Sequence, residues 1–505
     1  MSITKAGNLW LKEHFQFKYF SFTHSSYIGN NDKIEIVEND RIDQIYSSKY
    51  APKDTVLEHL VFSLKYDDLD LTFIKSIFER IPTENIVNYV SSSPGGKYAR
   101  KIGFLYEFVT QKELKLNVSI SGNYVDLLDE SKYCTGNTIK NTKWRINNNL
   151  LGTSDFCPII RRTVAVKEIL EWDISASLEQ LKHDFSKDIF RRATNYLYSK
   201  ETRSSYEIES EKPSPDRMER FIAILTKAGS KSGSEVLSET DLITLQNAII
   251  DPRFAATGFR DFQNYIGESL PNFIENIHYI CPPPQYVKSL MEGLRDSDQK
   301  CKDISAVVKA TITSFGFVFI HPFEDGNGRL HRFLIHDSLV RSGAVPKGFI
   351  IPVSAYMLNN MAEYDQTLEY FSKPLMKRIK YHKNTNEELI VENPKEVESY
   401  FRFPDLTKQC VFMGKTIQET LTSEMPNELL FIQRYDELKH AIQNIIDMPD
   451  KAINQIILFI HQNKGTLPKR RRKTFEKLTD EEITSIETVY QEIFEIKGLK
   501  INKTP

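Results

Sequence analysis

Apolar residues recur every three to four positions along most of the chain, which is the spacing of the buried face of an α-helix. In the first third this spacing predicts two short helices, at Leu57, Leu60, Val61 and Leu64 and at Leu71, Ile74, Ile77 and Phe78. A longer stripe consists of Leu178, Leu181, Phe185, Ile189 and Ala193. It predicts one amphipathic helix that ends near Lys200. The fold class predicted from this pattern is mainly α.

The pattern divides the chain into three predicted parts. The pattern predicts that residues 1–165 form an N-terminal domain that is mixed α/β or helical. It predicts strongly helical regions over residues 166–380 and 381–505. Within the middle part, the helical spacing is broken at residues 211–215, 264–284 and 321–328. The last break separates two predicted helices, 304–320 and 329–341. Breaks inside a helical domain are where function tends to be located.

Composition excludes several classes of protein. The 66 Lys and Arg residues are balanced by 68 Asp and Glu residues, for a net charge of −2, which excludes a generally basic nucleic-acid coat. A hydrophobic content of 40% excludes a disordered chain. The five cysteines include no CxxC pair, which favours a reducing compartment and argues against a structural zinc site. Because no apolar run approaches the ~20 residues that span a bilayer, we expect a cytoplasmic protein without a membrane partner.

The segment HPFEDGNGRLHR, residues 321–332, carries most of the chemical information, and we call it the signature loop. Gly326 and Gly328 bracket Asn327 at the start of the following helix. The two glycines allow consecutive backbone amides to turn toward one point at that helix N-terminus. This arrangement predicts a binding site for a phosphate group.

The side chains around the two glycines extend this phosphate site. Arg329 and Arg332 are three residues apart, on the same helical face, and can grip neighbouring phosphates. Asp325 is placed to hold a Mg²⁺ ion that bridges phosphate oxygens. His321 has an ordinary pKa near neutrality, which suits a general base for a hydroxyl nucleophile. Each residue alone is weak evidence, but together they predict a nucleotide site.

The signature loop resembles the motif of the Fic family, HPFx(D/E)GNGRxxR, at every fixed position. The resemblance covers roughly residues 200–375 and implies a helical Fic core with a β-hairpin flap. Members of this family typically transfer AMP from ATP to a Ser, Thr or Tyr hydroxyl of a target protein. The match implies that His321 is the base, that Asp325 is the metal ligand, that Gly326, Asn327 and Gly328 cradle the α- and β-phosphates, and that Arg329 and Arg332 bind the outer phosphates.

Two further segments resemble parts of the family. Residues 262–281 are similar to the flap, whose free edge amides would align a target segment by main-chain pairing. Tyr356 and Tyr364 lie in a segment that resembles the wall of the adenine pocket. The alternative interpretation of both tyrosines is ordinary core packing.

An inhibitory motif of the family, (S/T)xxxE(G/N), is matched near residues 198–210 by Ser205 and Glu209, with Ser210 in place of Gly or Asn. The resemblance implies that Glu209 pairs with Arg332 and blocks the γ-phosphate of ATP. A carboxylate on Arg332 would occupy the donors that the phosphate needs. The alternative interpretation is an exposed Glu at a solvated helix end.

The leading hypothesis is a self-inhibited protein adenylyltransferase that uses ATP and Mg²⁺. Its partner would be a target protein with a modifiable hydroxyl, which could be the protein itself. A second hypothesis is a deadenylylating or bifunctional Fic enzyme in which Glu209 orients water. A third is a DNA-binding regulator or toxin-antitoxin component with a Fic sensor domain. It would read DNA through residues 50–110, where Gly95, Gly96, Lys97, Arg100 and Lys101 form a basic loop after a helix-turn-helix-like segment.

Overall fold

The computed structural model describes residues 3–37, 41–271 and 274–495, and it begins with a mixed sheet around one helix. Its elements are β1 (Thr4–Ala6), α1 (Gly7–His14), β2 (His24–Gly29), β3 (Lys33–Val37) and β4 (Arg41–Ser47). The strand order is β1-β2-β4-β3, in which β2 and β4 are parallel and the other two pairs are antiparallel. This sheet precedes the first predicted helices.

Four helices follow, namely α2 (Val56–Tyr66), α3 (Leu71–Phe78), α4 (Thr83–Ser92) and α5 (Lys97–Thr110). Both short helices predicted from the apolar spacing are therefore confirmed. Each of them begins where a polar side chain accepts a hydrogen bond from the first turn: Thr55 caps α2 and Asp70 caps α3. A small second sheet follows, with β5 (Val125–Asp126), β6 (Ile139–Asn141) and β7 (Ile146–Asn148) in the order β5-β7-β6. It leads to α6 (Val164–Glu171).

Two basic residues of the predicted DNA-reading loop are turned into the protein. Arg100 donates hydrogen bonds to the carbonyl oxygens of Asn123 and Arg145, at 2.7 and 3.0 Å. Lys101 donates to the carbonyl of Leu127 at 2.6 Å. Both side chains are buried. Both residues hold loops of their own domain in place. The sequence alone does not distinguish this structural role from contact with DNA.

The predicted long helix ending near Lys200 is wrong in two respects. The stripe is divided between α7 (Ile174–Asp184) and α8 (Lys187–Ile208), and α8 continues beyond Lys200. The physical reason for the break is Ser186, whose hydroxyl accepts from Ile189 N at 3.3 Å and whose carbonyl accepts from Phe190 N at 3.0 Å. Ser186 thus acts as an N-cap for a new helix. The predicted inhibitory segment lies at the C-terminal end of α8.

The middle of the chain consists of helices and one hairpin. They are α9 (Pro215–Leu225), α10 (Gly233–Val236), α11 (Glu239–Ile249), β8 (Tyr265–Leu270), β9 (Ile274–Ile280), α12 (Pro284–Lys300), α13 (Ala306–Ile320), α14 (Asn327–Arg341), α15 (Val353–Asn359) and α16 (Met361–Met376). The helices predicted on either side of the signature loop are confirmed as α13 and α14. Both are buried on nearly every face, which is typical of helices at the centre of a domain.

The remaining elements are β10 (Tyr381–Lys383), β11 (Leu389–Val391), α17 (Pro394–Arg402), α18 (Thr407–Glu419), α19 (Met425–Ile445), α20 (Asp450–Gln462) and α21 (Asp480–Glu495). A mainly α-helical fold, with small sheets and a hairpin, is therefore confirmed. No helix among the described residues is long and apolar enough to cross a membrane.

The chain divides into two compact units. One comprises Met1–Ile174 with Ser199–Ile417, and the other comprises Ser175–Tyr198 with Gln418–Pro505. The core of the second unit is formed by α19, α20 and α21, with Leu438, Ile456 and Ile486 among its fully buried residues. The predicted three-part division at about 165 and 380 stays a prediction.

Candidate active site

The signature loop is a tight connection whose shape is set by its own residues. His321 ends α13 in the left-handed conformation, with φ 53° and ψ 61°. Asn327 clamps the loop, because its Oδ1 accepts from Phe323 N at 3.0 Å and its Nδ2 donates to Phe323 O at 2.9 Å. Gly326 precedes α14 with φ 88°, which favours glycine. The result is an abrupt helix start whose first amides are available to an anion.

Arg332 is bound by the C-terminal end of α8. Its Nε donates to Ser205 Oγ at 2.7 Å, and its Nη2 donates to Ser205 O at 2.7 Å and to Glu209 Oε1 at 2.8 Å. Arg332 is only 1% exposed. Burial by itself would raise the pKa of Glu209, but the charge and the hydrogen bond of Arg332 and, after them, the charge of Arg329 outweigh it and hold that pKa below its ordinary value. Glu209 is therefore ionised at neutral pH, and the pair weakens only as the pH falls through the lowered pKa.

The carboxylate of Glu209 lies directly over the start of α14. A Cβ atom placed on Gly328 would come within 2.1 Å of Glu209 Oε1. Only glycine leaves room for that approach. The carboxylate of Glu209 thus lies where the sequence predicts that a phosphate binds.

Arg329 is paired with Glu211, a carboxylate that the sequence analysis missed, as well as with Asp325. Its Nη2 lies 3.1 Å from Glu211 and 2.9 Å from Asp325. Glu211 also accepts from Arg217 at 2.8 Å. The guanidinium groups of Arg217 and Arg329 both lie over the ring of Tyr206, 5.0 and 5.1 Å from its centroid. The only sequence signal for Glu211 is its position two residues after Glu209.

The turn after α8 directs these two carboxylates toward the two arginines. Ser210 has φ 57°, and Glu211 N donates to Tyr206 O at 3.0 Å, which closes the helix end. Gly and Asn adopt this left-handed conformation most readily, whereas another residue costs about 1–2 kcal/mol. The departure of Ser210 from the usual motif is therefore a strained but compatible substitution.

One face of α8 attaches it to the domain. Glu201, Ser205 and Glu209 are spaced four residues apart, so they lie on the same side of the helix. Glu201 is fully buried and accepts from His336 Nε2 and Ser354 N, both at 2.8 Å. These contacts position the helix so that Glu209 reaches Arg332.

His321 is arranged to accept a proton. Its Nδ1 lies 3.2 Å from Val318 O, a contact that assigns the hydrogen to Nδ1 and leaves the lone pair on Nε2. The expected pKa near neutrality is wrong, because burial and, secondly, the charge of Arg260 lower the pKa of His321 to about 4. The imidazole is therefore neutral, which is the form a general base requires, throughout the range from pH 5 to 8.

Arg260 is a second residue that the sequence analysis missed. It is 5% exposed, and its guanidinium donates to the carbonyl oxygens of four residues: His321 at 2.8 Å, Phe262 at 2.8 Å, Pro282 at 2.7 Å and Ile320 at 3.3 Å. No carboxylate forms an ion pair with it among the described residues. Arg260 thus ties the end of α13 to both ends of the β8–β9 hairpin. Only its position just before the hairpin could have indicated this role.

The hairpin is also tied directly to the signature loop. Asn264 Nδ2 donates to Phe323 O at 3.2 Å, and Cys281 N donates to Asn264 O at 3.1 Å. The two strands pair antiparallel, with an irregularity between Ile266 and Gly267. Because residues 272–273 lie outside the described residues, the tip of the predicted flap is not characterised. The base of the hairpin lies beside the loop that carries His321.

Asp325 offers one carboxylate to a metal ion. Its Oδ1 accepts from Gly326 N at 2.5 Å and pairs with Arg329, and its side chain is 48% exposed. Among the described residues, no group of three or more His, Cys, Asp or Glu could hold a metal. A single carboxylate fits Mg²⁺, which commonly takes one or two carboxylates together with substrate phosphates and water.

The two predicted adenine contacts lie in the interior. Tyr356 is 7% exposed and Tyr364 is 4% exposed. Tyr364 stacks on Phe412 with ring centroids 5.7 Å apart, and its other neighbours include His331 at 6.3 Å. Arg332 lies close enough to oppose the rise that burial causes in the pKa of Tyr364. A nucleotide role for both tyrosines stays a prediction.

We predict that Arg260→Met raises the pKa of His321, because it removes a buried positive charge and loosens the helix end. The measurement is an NMR titration of the protein labelled with ¹³C at His Cε1, in which the His321 signal is identified by its loss in His321→Gln. In the unmodified protein this signal should not titrate between pH 5.5 and 8. Arg253→Met, which removes an exposed arginine, is the control and should leave the titration unchanged. An identical titration in Arg260→Met and the unmodified protein would contradict the proposed effect.

Comparison with known proteins identifies the domain around this site. Residues 236–339 match the Fic/DOC family. Segments of the chain are similar to the protein adenylyltransferase fic-1 of Caenorhabditis elegans, at 30% identity over 138 residues, and to a probable protein adenylyltransferase of Aquifex aeolicus, at 27% over 173 residues. These alignments cover 26% and 31% of this chain, and they span only 24% and 52% of the two relatives.

Two solved structures are also similar. One is a Fic family protein from Desulfovibrio desulfuricans, with a TM-score of 0.38 and 17% identity over 55% of this chain and 80% of that one. The other is a Fic domain-containing signalling protein from Bacteroides thetaiotaomicron, with a TM-score of 0.33 and 15% identity over 51% of this chain and 95% of that one. On the family match and the signature loop, the chain contains a Fic domain, which the match locates at residues 236–339.

Proposed function

We propose that the protein is a protein adenylyltransferase that transfers AMP from ATP to a Ser, Thr or Tyr hydroxyl of a target protein, and that Glu209 keeps it inactive. One observation carries this proposal. A neutral histidine stands beside an anion-binding helix start whose two arginines are occupied by carboxylates of the same chain. The relatives named as adenylyltransferases support the choice of ATP as substrate.

The proposed reaction uses His321 as the general base. Its Nε2 takes the proton of the target hydroxyl, and the hydroxyl oxygen attacks the α-phosphorus of ATP. The bond from the α-phosphorus to the bridging oxygen breaks, and pyrophosphate leaves with its electron pair. His321 then releases the proton to solvent. The products are the AMP ester of the target and pyrophosphate, so atoms and charge balance.

The arginines and the start of α14 bind the phosphates. Arg329 Nε is buried without a hydrogen-bond partner among the described residues, and such a donor is costly until an acceptor arrives. The first amides of α14 and the Arg332 donors offer further contacts once Glu209 leaves. A Mg²⁺ ion carried by ATP and held by Asp325 would neutralise phosphate charge when bound.

The hairpin beside the loop is suited to hold the target. Among the described residues it is a two-stranded sheet, and the outer edge of such a hairpin can pair with an extended segment. Because Arg260 and Asn264 fix the hairpin base to the signature loop, a segment bound there would present its hydroxyl near His321.

The five cysteines are buried and free, which is consistent with the reducing, ATP-containing cytoplasm that the sequence predicts.

The inhibition is proposed to be competition between carboxylate and phosphate. Glu209 accepts a hydrogen bond from Arg332 and fills the space above Gly328. A phosphate would therefore lose the Arg332 donor and would be repelled by the negative charge of the carboxylate. A charge-assisted hydrogen bond is worth about 1.5–3 kcal/mol. Since about a third of the Glu209 side chain is exposed, we take the lower value, which corresponds to about tenfold. Glu211 restricts Arg329 in the same way.

The same placement supports one alternative activity. A carboxylate over Gly328 that is near enough to His321 to interact with it electrostatically could orient a water molecule against an AMP-modified hydroxyl. The protein would then remove AMP from its target or catalyse both directions. Glu209 would be required for this activity rather than inhibitory to it.

We predict that His321→Ala abolishes transfer while ATP affinity changes by only a few-fold, because the imidazole takes a proton and does not hold phosphate. A general base contributes about 10² to 10⁴ in rate. The assay follows label from [α-³²P]ATP and, in parallel, from [γ-³²P]ATP into protein, since only the α-label is retained in adenylylation. Full transfer by His321→Ala would remove this residue from the mechanism, and transfer of the γ-label would replace adenylylation with phosphorylation.

We predict that Glu209→Gly increases transfer of the α-label at least about tenfold, because it frees Arg332 and the start of α14. Glu207→Gly is the matched control, since it removes an exposed carboxylate from the same helix end. Combining Glu209→Gly with Arg332→Ala should cancel most of the gain. Adding Glu211→Gln to Glu209→Gly should increase the rate further.

A double variant of Glu209 and Arg332 that is as active as Glu209→Gly would show that the inhibition does not act through the arginine. Ser205→Ala should act in the same direction as Glu209→Gly but less strongly, because Ser205 only helps to hold Arg332 against α8. If Glu209→Gly transfers no faster than the unmodified protein and no longer removes AMP from a modified target, the deadenylylating alternative is correct.

A further inference from the structure

A second site is indicated by a cavity in the N-terminal part of the chain. This cavity of about 100 Å³ lies among α2, the start of α5 and the segment 127–133. Its lining includes Lys65, Lys97, Lys101 and Lys132, and we call it the lysine cavity. None of these residues belongs to the site described above.

Three of the ammonium groups surround one aromatic ring. The Nζ atoms of Lys65, Lys97 and Lys101 lie 4.9, 5.6 and 5.9 Å from the ring centroid of Tyr98. Lys97 and Lys101 are four residues apart on α5, so they point the same way. Lys101 is 7% exposed and forms the inner part of this group. The positive charges are thus concentrated around a concave surface.

The carboxylates that also line the cavity are committed to neutral donors. Asp67 accepts from Asn8 N at 2.6 Å and from the Ser26 hydroxyl. Asp129 accepts from the backbone N of Ser131 at 2.9 Å and from its hydroxyl at 2.7 Å. In the described part of the chain, no Asp or Glu oxygen lies within ion-pair distance of any of the four lysines. The lining of the cavity therefore carries an excess of positive charge, and none of its four lysines has an ion-pair partner among the described residues.

The titration behaviour of the cavity is consistent with that excess. Burial, and then the neighbouring charge of Lys97, lower the pKa of Lys101 to about 8, while Asp126 and Asp129 oppose this shift. Burial raises the pKa of Asp67 to about 7, so its negative charge is only partly present at neutral pH. A bound anion would relieve the repulsion among the lysines.

We propose that the lysine cavity binds a small phosphate-bearing anion, either inorganic or the phosphoryl end of a small phosphate ester. A phosphate group can accept hydrogen bonds from several ammonium groups at once. In the lysine cavity, no carboxylate of the described residues has this role. The concave shape favours a small ligand over duplex DNA, because Lys101 lies below the surface and Arg100 is bound to carbonyl groups. This proposal is independent of the reaction proposed for the Fic domain.

The test is isothermal titration of the full chain with pyrophosphate and, separately, with glycerol 3-phosphate, in low salt without Mg²⁺. All proteins carry Arg329→Ala, which weakens phosphate binding at the signature loop. The double variant Lys65→Gln/Lys97→Gln, which we call the rim variant, should bind about tenfold more weakly than its parent, because it removes two exposed cationic contacts. Lys112→Gln/Lys115→Gln is the matched control, since it removes two exposed lysines of the same region and should change binding less than twofold. Tight binding of only one ligand identifies which of the two sources the cavity selects.

Lys101→Met should abolish binding if it folds, as judged by its melting temperature, and the rim variant decides the question if it does not fold. Equal affinity in the rim variant and its parent, or no binding of either ligand at millimolar concentration, would overturn the proposal. Titration with duplex DNA across a salt series gives the last outcome. If DNA binds more tightly than pyrophosphate, with a steep salt dependence that the rim variant loses, the surface is a nucleic-acid site and the proposal is wrong.

Discussion

The contact between Glu209 and Arg332 is the interaction on which the rest of the site depends. Arg332 is almost completely buried, and a buried guanidinium needs an anionic or strongly polar partner. Two partners suit it, the carboxylate of α8 or a phosphate of a bound nucleotide. Because both would occupy the space above Gly328, they exclude each other. In the function proposed above, the site therefore has two states, which are distinguished by the position of one carboxylate.

The surrounding structure holds that carboxylate in place. Glu201 attaches α8 to His336 and Ser354, and the left-handed turn at Ser210 brings Glu211 onto Arg329. Removing Glu209 from Arg332 thus requires the end of α8 to shift or fray. The strain at Ser210 makes that end less stable than a glycine would. Arg260 acts on the other side of the site, where it keeps His321 oriented whichever state α8 adopts.

The site could be predicted where the information is local in sequence. His321, Asp325, the two glycines and both arginines fall within 12 consecutive residues of the signature loop, and the structure places them where α13 ends and α14 begins. The pairing of Glu209 with Arg332 followed from a short motif. Glu211 and Arg260 could not be found in this way, because neither belongs to a recognised motif and their contacts lie 118 and 61 residues away in the sequence. Burial is also not visible in the sequence, which predicts Arg100 and Lys101 as part of a basic loop that reads DNA although both side chains are buried. The break at Ser186 was missed because an apolar stripe at helical spacing continues across it.

The central claim is that a phosphate and Glu209 compete for the same donors. Crystal structures of the unmodified protein and of Glu209→Gly, each with Mg²⁺ and a non-hydrolysable ATP analogue, test this claim most directly. In Glu209→Gly, the terminal phosphate should accept hydrogen bonds from Arg332. In the unmodified protein, Glu209 should keep its contact with Nη2 of Arg332 and the terminal phosphate should lie elsewhere. The same phosphate position in both proteins, with Arg332 bound to phosphate while Glu209 remains in place, would contradict the account.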